Sequence, residues 1–214
     1  MIDGKTITDV LRWRYSAKVF DPSRNVSDGD LRTILEAGRL APSSQGLEPW
    51  VFLVVENPEL RAAVRAATFD QPKVTDASYL VVLATRRDTP QKIAADRVAR
   101  VARANGTDPA TLEDMRASLE KSAAAMSDED HMRWHTCQTY LPFGFMMFAA
   151  AMMGIDTGVA GISDQQALDD ALGLPAQHMT ATAVLAIGYR DSSDPAAARP
   201  KVRRDFDEAV IFVT

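Results

Sequence analysis

Uninterrupted apolar runs between turn-forming residues constrain the fold of this chain more than any other feature of its sequence. The run at 50–55 lies between Pro49 and Asn57, as expected of a strand that is buried on both faces. Further strands are predicted at 79–85, 156–159, 179–189 and 209–213. The last of these follows a charged stretch, and it could pair either within the chain or with the sheet of another subunit.

Capping residues indicate where helices begin between these strands. Ser27 followed three residues later by Asp30 resembles a capping arrangement, and Ser163 with Gln166 repeats the pattern. The sequence predicts helices at 6–14, 88–103, 108–125 and 127–153, with others starting at Ser27, Asn57 and Ser163. Helices and strands thus alternate along most of the chain.

Length and charge limit the classes of protein to which this chain can belong. With 214 residues it fits a single domain over residues 1–214. The net charge of -5 argues against a general nucleic-acid surface. No apolar stretch reaches the roughly 20 residues that span a bilayer, and the N-terminus has no apolar signal segment, so no membrane partner and a cytoplasmic location are expected.

Two short basic segments near opposite ends of the chain are candidate anion sites. In an extended stretch, Arg14, Ser16 and Lys18 point to one side, and two cations with a hydroxyl suit a phosphate or the electron-rich edge of a heterocycle. Lys201 and Arg203 alternate in the same way and could add two cations. Each segment alone could also be a solvated basic turn or charged run.

A polar loop between a predicted helix and a predicted strand is a third candidate. It offers hydroxyl and backbone N–H donors to a ligand, although an ordinary connecting loop would have a similar composition. Its residues are Pro42, Ser43, Ser44, Gln45 and Gly46.

Taken in order, these three segments resemble the nitroreductase family of FMN-dependent flavoproteins, and the resemblance extends from Ile7 to Val213. It implies an α+β fold with a central, mainly antiparallel sheet flanked by helices. It also implies a homodimer with FMN at the subunit interface and a C-terminal strand that could be exchanged between subunits.

The resemblance assigns roles to individual residues. Arg14, Ser16, Lys201 and Arg203 would hold the phosphate, with Tyr15 beside them, and Lys18 would lie near the N1–O2 edge of the flavin. The Pro42–Gly46 loop would come from the partner subunit. A family segment that gives an amide and a lysine to the flavin matches Asp70 or Gln71, together with Lys73. The backbone at Gly161 and Ile162 matches the loop that faces flavin N5.

The implied reaction needs no catalytic side chain, because the flavin carries the chemistry. NAD(P)H would pass a hydride to flavin N5, and a nitroaromatic, a quinone or a similar small acceptor would then take it in a ping-pong scheme. Lys18 and Lys73 would tune the flavin electrostatically. Relatives that dehalogenate, reduce pteridines or degrade flavin remain alternatives, as do a non-catalytic flavin-binding protein and a helical interaction module.

Two histidines at helical spacing, His131 and His135, are the only pattern that suggests a metal. Met132 stands where a zinc protease would have its glutamate, and no third ligand is evident. We therefore interpret both as surface histidines and predict no metal site.

Overall fold

A four-stranded antiparallel sheet is the centre of the fold in the computed structural model, which describes residues 2–213. The strands are β1 (Trp50–Val54), β2 (Tyr79–Arg86), β3 (Asp156–Ala160) and β4 (Met179–Gly188). Their order is β1-β2-β4-β3, so the two longest strands are central. The predicted α+β class is confirmed, and the four predicted strands before residue 190 match the observed bounds to within one residue at each end.

Helices flank this sheet and separate its strands. They are α1 (Gly4–Trp13), α2 (Asp28–Arg39), α3 (Pro58–Ala66), α4 (Lys73–Asp76), α5 (Pro90–Asn105), α6 (Glu113–Ala124), α7 (Asp128–Met152), α8 (Gln165–Ala171) and α9 (Phe206–Ala209). The helix predicted at 108–125 is divided, because the Asp108 side chain accepts a hydrogen bond from the Ala110 N–H at 2.9 Å and closes a short 3-10 turn before α6.

The central strands are buried because helices cover both faces of the sheet. Leu80 and Val184 pack in a cluster with residues of α3, α4 and α8, whereas Leu83 and Leu185 pack with α2 and α7 on the other face. Full burial of one such side chain contributes roughly 1.5–3 kcal/mol. Burial on both faces explains why these strands are continuous apolar runs.

The predicted capping role of Ser163 is wrong. The N-cap of α8 is Asp164, whose side chain accepts from the Ala167 N–H at 3.0 Å. The Ser163 hydroxyl instead accepts from the N–H of Phe69, 94 residues earlier in the chain, at 3.0 Å. A long-range partner has therefore replaced the local one.

The interpretation of His131 and His135 as surface histidines is also wrong. Only 8% of His131 and 0% of His135 is exposed. The Trp134 ring between them packs against a cluster that includes residues of α5 and α6, and His135 Nδ1 lies 3.4 Å from Arg86 O. Burial and the neighbouring His131 lower the pKa of His135 to about 4. Within residues 2–213, no group of three or more His, Cys, Asp or Glu side chains could hold a metal ion.

The strand predicted at 209–213 does not form within the chain. Residues 206–209 form the short helix α9, and the apolar side chains that follow are extended into solvent. Ile211 is 84% exposed and Phe212 is 77% exposed. In the described part of the structure, this segment does not pair with either edge of the sheet, so it lacks the neighbouring strand that a β-strand requires.

Among the described residues, no helix combines the length and apolar content needed to cross a membrane.

The segment after α1 runs along the open edge of β3. The Ala17 N–H donates to Thr157 O at 3.0 Å, and Ser16 forms a parallel bridge with Thr157. This close approach requires a glycine in β3, because a Cβ on Gly158 would lie 2.6 Å from Ala17 O. The glycine therefore sets how near the basic segment lies to the sheet.

We expect Gly158→Ala to lower the free energy of unfolding by about 1–3 kcal/mol, because a backbone carbonyl cannot move aside as a flexible side chain can. Urea denaturation of the purified variant measures the change. Gly29→Ala, at an exposed position of α2 with only Ser27 Oγ nearby at 3.8 Å, is the matched control and should stay within about 1 kcal/mol of the parent. Equal stability of the two variants would contradict the close approach.

Candidate functional site

The two basic segments predicted to converge do meet, at the C-terminal end of α1. The ammonium group of Lys201 donates to Leu11 O at 2.5 Å and also to Arg14 O. Leu11 is in the last turn of α1 and Arg14 is its C-cap residue, and carbonyls at a helix C-terminus lack intrahelical partners and favour a cation. Lys201 therefore joins opposite ends of the chain, and part of its hydrogen-bonding capacity is used for that purpose.

A cavity of about 480 Å³ opens between these segments and is lined by residues 12–16, 196–197 and 199–203. Burial and the neighbouring Arg203 lower the pKa of Arg14. Burial and the two arginines do the same to Lys201. The Nε atom of Arg14 is buried and has no hydrogen-bond partner among the described residues. Because buried polar groups are normally paired, this donor set fits an oxyanion such as a phosphate.

Two residues that the sequence analysis missed hold this site together. Asp194, which is 3% exposed, accepts hydrogen bonds from Tyr15 Oη at 3.0 Å and from the Lys18 N–H at 2.8 Å. Arg190 lies between the aromatic rings of Trp13 and Tyr15, at 4.3 and 4.4 Å from their centroids.

Arg190 is in turn fixed by a buried carboxylate at the start of β3. Asp156 accepts from Arg190 Nε at 2.7 Å and from its backbone N–H at 3.1 Å. Because Asp156 is only 4% exposed, this ion pair connects the sheet with the rings of the N-terminal segment.

Ser16 and Lys73 both bind the backbone of Val159 in β3. Ser16 Oγ accepts from the Val159 N–H at 3.1 Å, and the Lys73 ammonium donates to Val159 O. Lys73 is 2% exposed, and burial together with the charge of Lys18 lowers its pKa to about 8. The two lysines are therefore close enough to influence each other. The Ser16 hydroxyl therefore binds the sheet edge, and its expected contact with a phosphate stays a prediction.

The amide-bearing segment before α4 forms a tight turn. Asp70 has a positive φ of 47° and accepts from Arg65 Nε at 2.7 Å, so its charge is partnered. Gln71 Nε2 donates to Thr68 O at 2.8 Å. Across the turn, the Phe69 ring lies against Gly161, where a Cβ would be 3.4 Å from Phe69 Cε2. Ile162 packs against the adjoining core cluster.

The Pro42–Gly46 loop lies against α5 and α7. The Ser44 N–H donates to Gln138 Oε1 at 2.8 Å, and Arg100 donates to Gly46 O at 3.3 Å. None of the loop's hydrogen bonds within residues 2–213 reaches the segments at 14–18 or 201–203. One chain therefore brings together the two basic segments and leaves the loop apart from them.

Comparison of this chain with known proteins identifies its family. The protein-family model described as 'Nitroreductase family' matches residues 11–189 of this chain. The chain belongs to the nitroreductase family. It is 34% identical to YfkO of Bacillus subtilis (strain 168), named as a candidate NAD(P)H nitroreductase, with 100% of both chains covered. A candidate NAD(P)H nitroreductase of Staphylococcus epidermidis is 32% identical, with 98% of each chain covered.

Solved structures show the same fold. The candidate nitroreductase ydfN of Bacillus subtilis has a TM-score of 0.85 at 19% identity, covering 99% of this chain and 100% of ydfN. A candidate nitroreductase of Exiguobacterium sibiricum in complex with FMN has a TM-score of 0.81 at 21% identity, covering 100% and 98%. These identities are low, so the likeness is evidence for the fold.

The family match and the curated relatives confirm the family and the enzyme class that the sequence predicted. The nitroreductase family consists of oxidoreductases that use a flavin, FMN, with NAD(P)H as electron donor.

Lys73 generates a pH prediction. Its pKa is about 8 in the folded protein against an ordinary value of 10.5, so between these values the unfolded chain binds more protons. The free energy of unfolding therefore gains a contribution that rises with pH through this window. Lys73→Met should lose that rise, as measured by urea denaturation at about pH 7 and about pH 10. Lys121→Met, which removes an exposed lysine, is the control and should keep it.

Proposed function

We propose that this chain, as one domain over residues 1–214, is an FMN-dependent oxidoreductase acting on small oxidised acceptors such as nitroaromatics or quinones by a ping-pong scheme. When bound, FMN supplies hydride transfer from NAD(P)H to the acceptor. The proposal is supported by relatives named as candidate NAD(P)H nitroreductases and by a structural neighbour in complex with FMN. The role of the polypeptide is to bind, orient and electrostatically tune the cofactor.

One observation carries the proposal, namely that the buried Nε of Arg14 has no hydrogen-bond partner within residues 2–213 and lies in a cavity that Lys201 and Arg203 also line. Burial, and after it the repulsion between these cations, lowers the pKa of Arg14 and of Lys201, and a phosphate dianion would relieve the repulsion. Arginine is suited to this contact because its planar donors match phosphate oxygens. Ser16 and Tyr15 line the same cavity.

The lysines at the other end of the site would serve the flavin ring. Lys18 is exposed, and its charge adds to burial in lowering the pKa of Lys73. Positive charge that is fixed before reaction stabilises negative charge that develops on a ring. We assign the remaining ring contacts to Asp70 or Gln71 and to the backbone N–H groups of Gly161 and Ile162.

We further propose that the working unit is a homodimer whose partner subunit contributes the loop of Pro42, Ser43, Ser44, Gln45 and Gly46. The separation of this loop from the basic segments within one chain supports the idea. Exposed apolar side chains on α7, including Leu141 and Phe145, and in the C-terminal tail provide a surface for a second copy. Association is expected to bury such surface.

Arg203→Ala tests the phosphate assignment. The loss of a charge-assisted hydrogen bond of roughly 1.5–3 kcal/mol should weaken FMN affinity by about tenfold to a hundredfold. Flavin fluorescence during titration of the apoprotein measures this affinity. Arg204→Ala is the matched control, because Arg204 has the same charge but does not line the cavity. Unchanged affinity in Arg203→Ala would remove this residue from the site.

Steady-state oxidation of NADH and of NADPH with a quinone or nitro acceptor separates an enzyme from a flavin carrier. The proposed function requires parallel-line kinetics when both substrates are varied. A flavin-loaded protein that oxidises neither nicotinamide would contradict it.

Removal of residues 209–214 tests the exchanged tail. If the tail crosses to the partner, the shortened chain should be a monomer in sedimentation, because the apolar contact of Ile211 and Phe212 is lost. Phe212→Ser should weaken the dimer in the same direction while retaining the full chain length. A shortened chain that remains a stable dimer would show that the tail does not hold the subunits together.

A further inference from the structure

Asp194 is a buried carboxylate that joins the two basic segments. Its Oδ2 atom accepts from the backbone N–H groups of Lys18 at 2.8 Å and Val19 at 3.3 Å, and from Tyr15 Oη at 3.0 Å. Its Oδ1 atom accepts from the Ala196 N–H at 2.9 Å. One carboxylate thus binds three donors of the N-terminal segment and one donor of its own segment.

The backbone around Asp194 is itself fixed. The Asp191 N–H donates to Val19 O at 3.1 Å, and the Asp194 N–H donates to Asp191 O at 3.1 Å. Ala197 N–H then donates to Asp194 O at 3.1 Å. The carboxylate therefore stands at a defined place between two turns, and the chain continues from there to Lys201.

We propose that Asp194 is a positioning residue for the phosphate site, since it fixes the 15–19 turn against the 196–203 segment so that Arg14, Lys201 and Arg203 face one anion. The inference rests on the proposed function, in which that anion is the phosphate of FMN. Asp194 itself does not touch the ligand in this account.

Electrostatics alone would give Asp194 the opposite effect. Backbone and Tyr15 hydrogen bonds outweigh burial and lower its pKa, so the group is a carboxylate at neutral pH. A negative charge near a phosphate site repels the ligand, and its removal would strengthen binding. The positioning role predicts weaker binding instead. The sign of the change therefore distinguishes the two.

Asp194→Asn and two flavins provide the experiment. Riboflavin lacks the phosphate of FMN, so the ratio of the two dissociation constants reports the phosphate contacts alone. We expect the preference for FMN over riboflavin to fall by about tenfold in Asp194→Asn, because several charge-assisted hydrogen bonds to the turn are weakened. Affinity for riboflavin should change much less.

A control and a second variant make the result decisive. Asp191→Asn removes the same charge from the same turn but leaves the Tyr15, Lys18 and Val19 donors unaffected, and it should retain the wild-type ratio. If Asp194→Asn does not fold, Tyr15→Phe decides, because it removes one of the donors, and a fall of about threefold in the ratio is expected.

An unchanged or increased preference for FMN would overturn the positioning role, and so would an equal loss of affinity for both flavins, which indicates general damage to the fold. If the wild-type protein binds FMN no better than riboflavin, the proposed phosphate site and the role of Asp194 are both wrong. If the wild type prefers FMN and the variants retain that preference, only the role of Asp194 is wrong.

Discussion

The structure depends on holding like charges from opposite ends of one chain close together. Arg14, Lys201 and Arg203 repel one another, and this repulsion adds to burial in lowering the pKa of Arg14 and of Lys201. Two kinds of acceptor oppose it. The carbonyls at the end of α1 bind the Lys201 ammonium, and the Asp194 carboxylate binds the N-terminal turn. The cations are consequently in place before any ligand arrives, which lowers the entropic cost of binding.

The sheet provides the fixed reference for this arrangement. Gly158 lets the backbone at Ala17 approach β3, and the Asp156–Arg190 pair fixes the cation that lies between Trp13 and Tyr15. All of these contacts are at the edge strand β3, whose other side pairs with the buried strand β4. The site is therefore built from irregular segments, but their positions are set by a rigid element.

The sequence predicted the regular part of the fold well, because the signals involved are local. Continuous apolar runs mark strands buried on both faces, and Ser27 and Asn57 cap helices through neighbours three residues away. Predictions were wrong where a distant partner decided the outcome. Ser163 accepts from Phe69 instead of capping α8, and His135 is buried with its ring against Arg86 O, 49 residues earlier in the chain.

The same distinction applies to the candidate site. The family resemblance placed Arg14 with the two C-terminal cations, and the three line one cavity, but the resemblance did not show that Lys201 would bind the end of α1. Asp194 was missed because its four partners are backbone and hydroxyl groups, which carry no sequence signature.

Lys73 is buried and Lys18 is exposed, so the two lysines can act on a ligand in different ways. Lys73 donates to Val159 O and is buried, so its charge is held at a fixed position. Lys18 is exposed and can adjust to a ligand. A reaction whose chemistry lies in the cofactor needs fixed charge and controlled stacking more than it needs an acid or a base. The lowered pKa of Lys73 reflects burial near another cation.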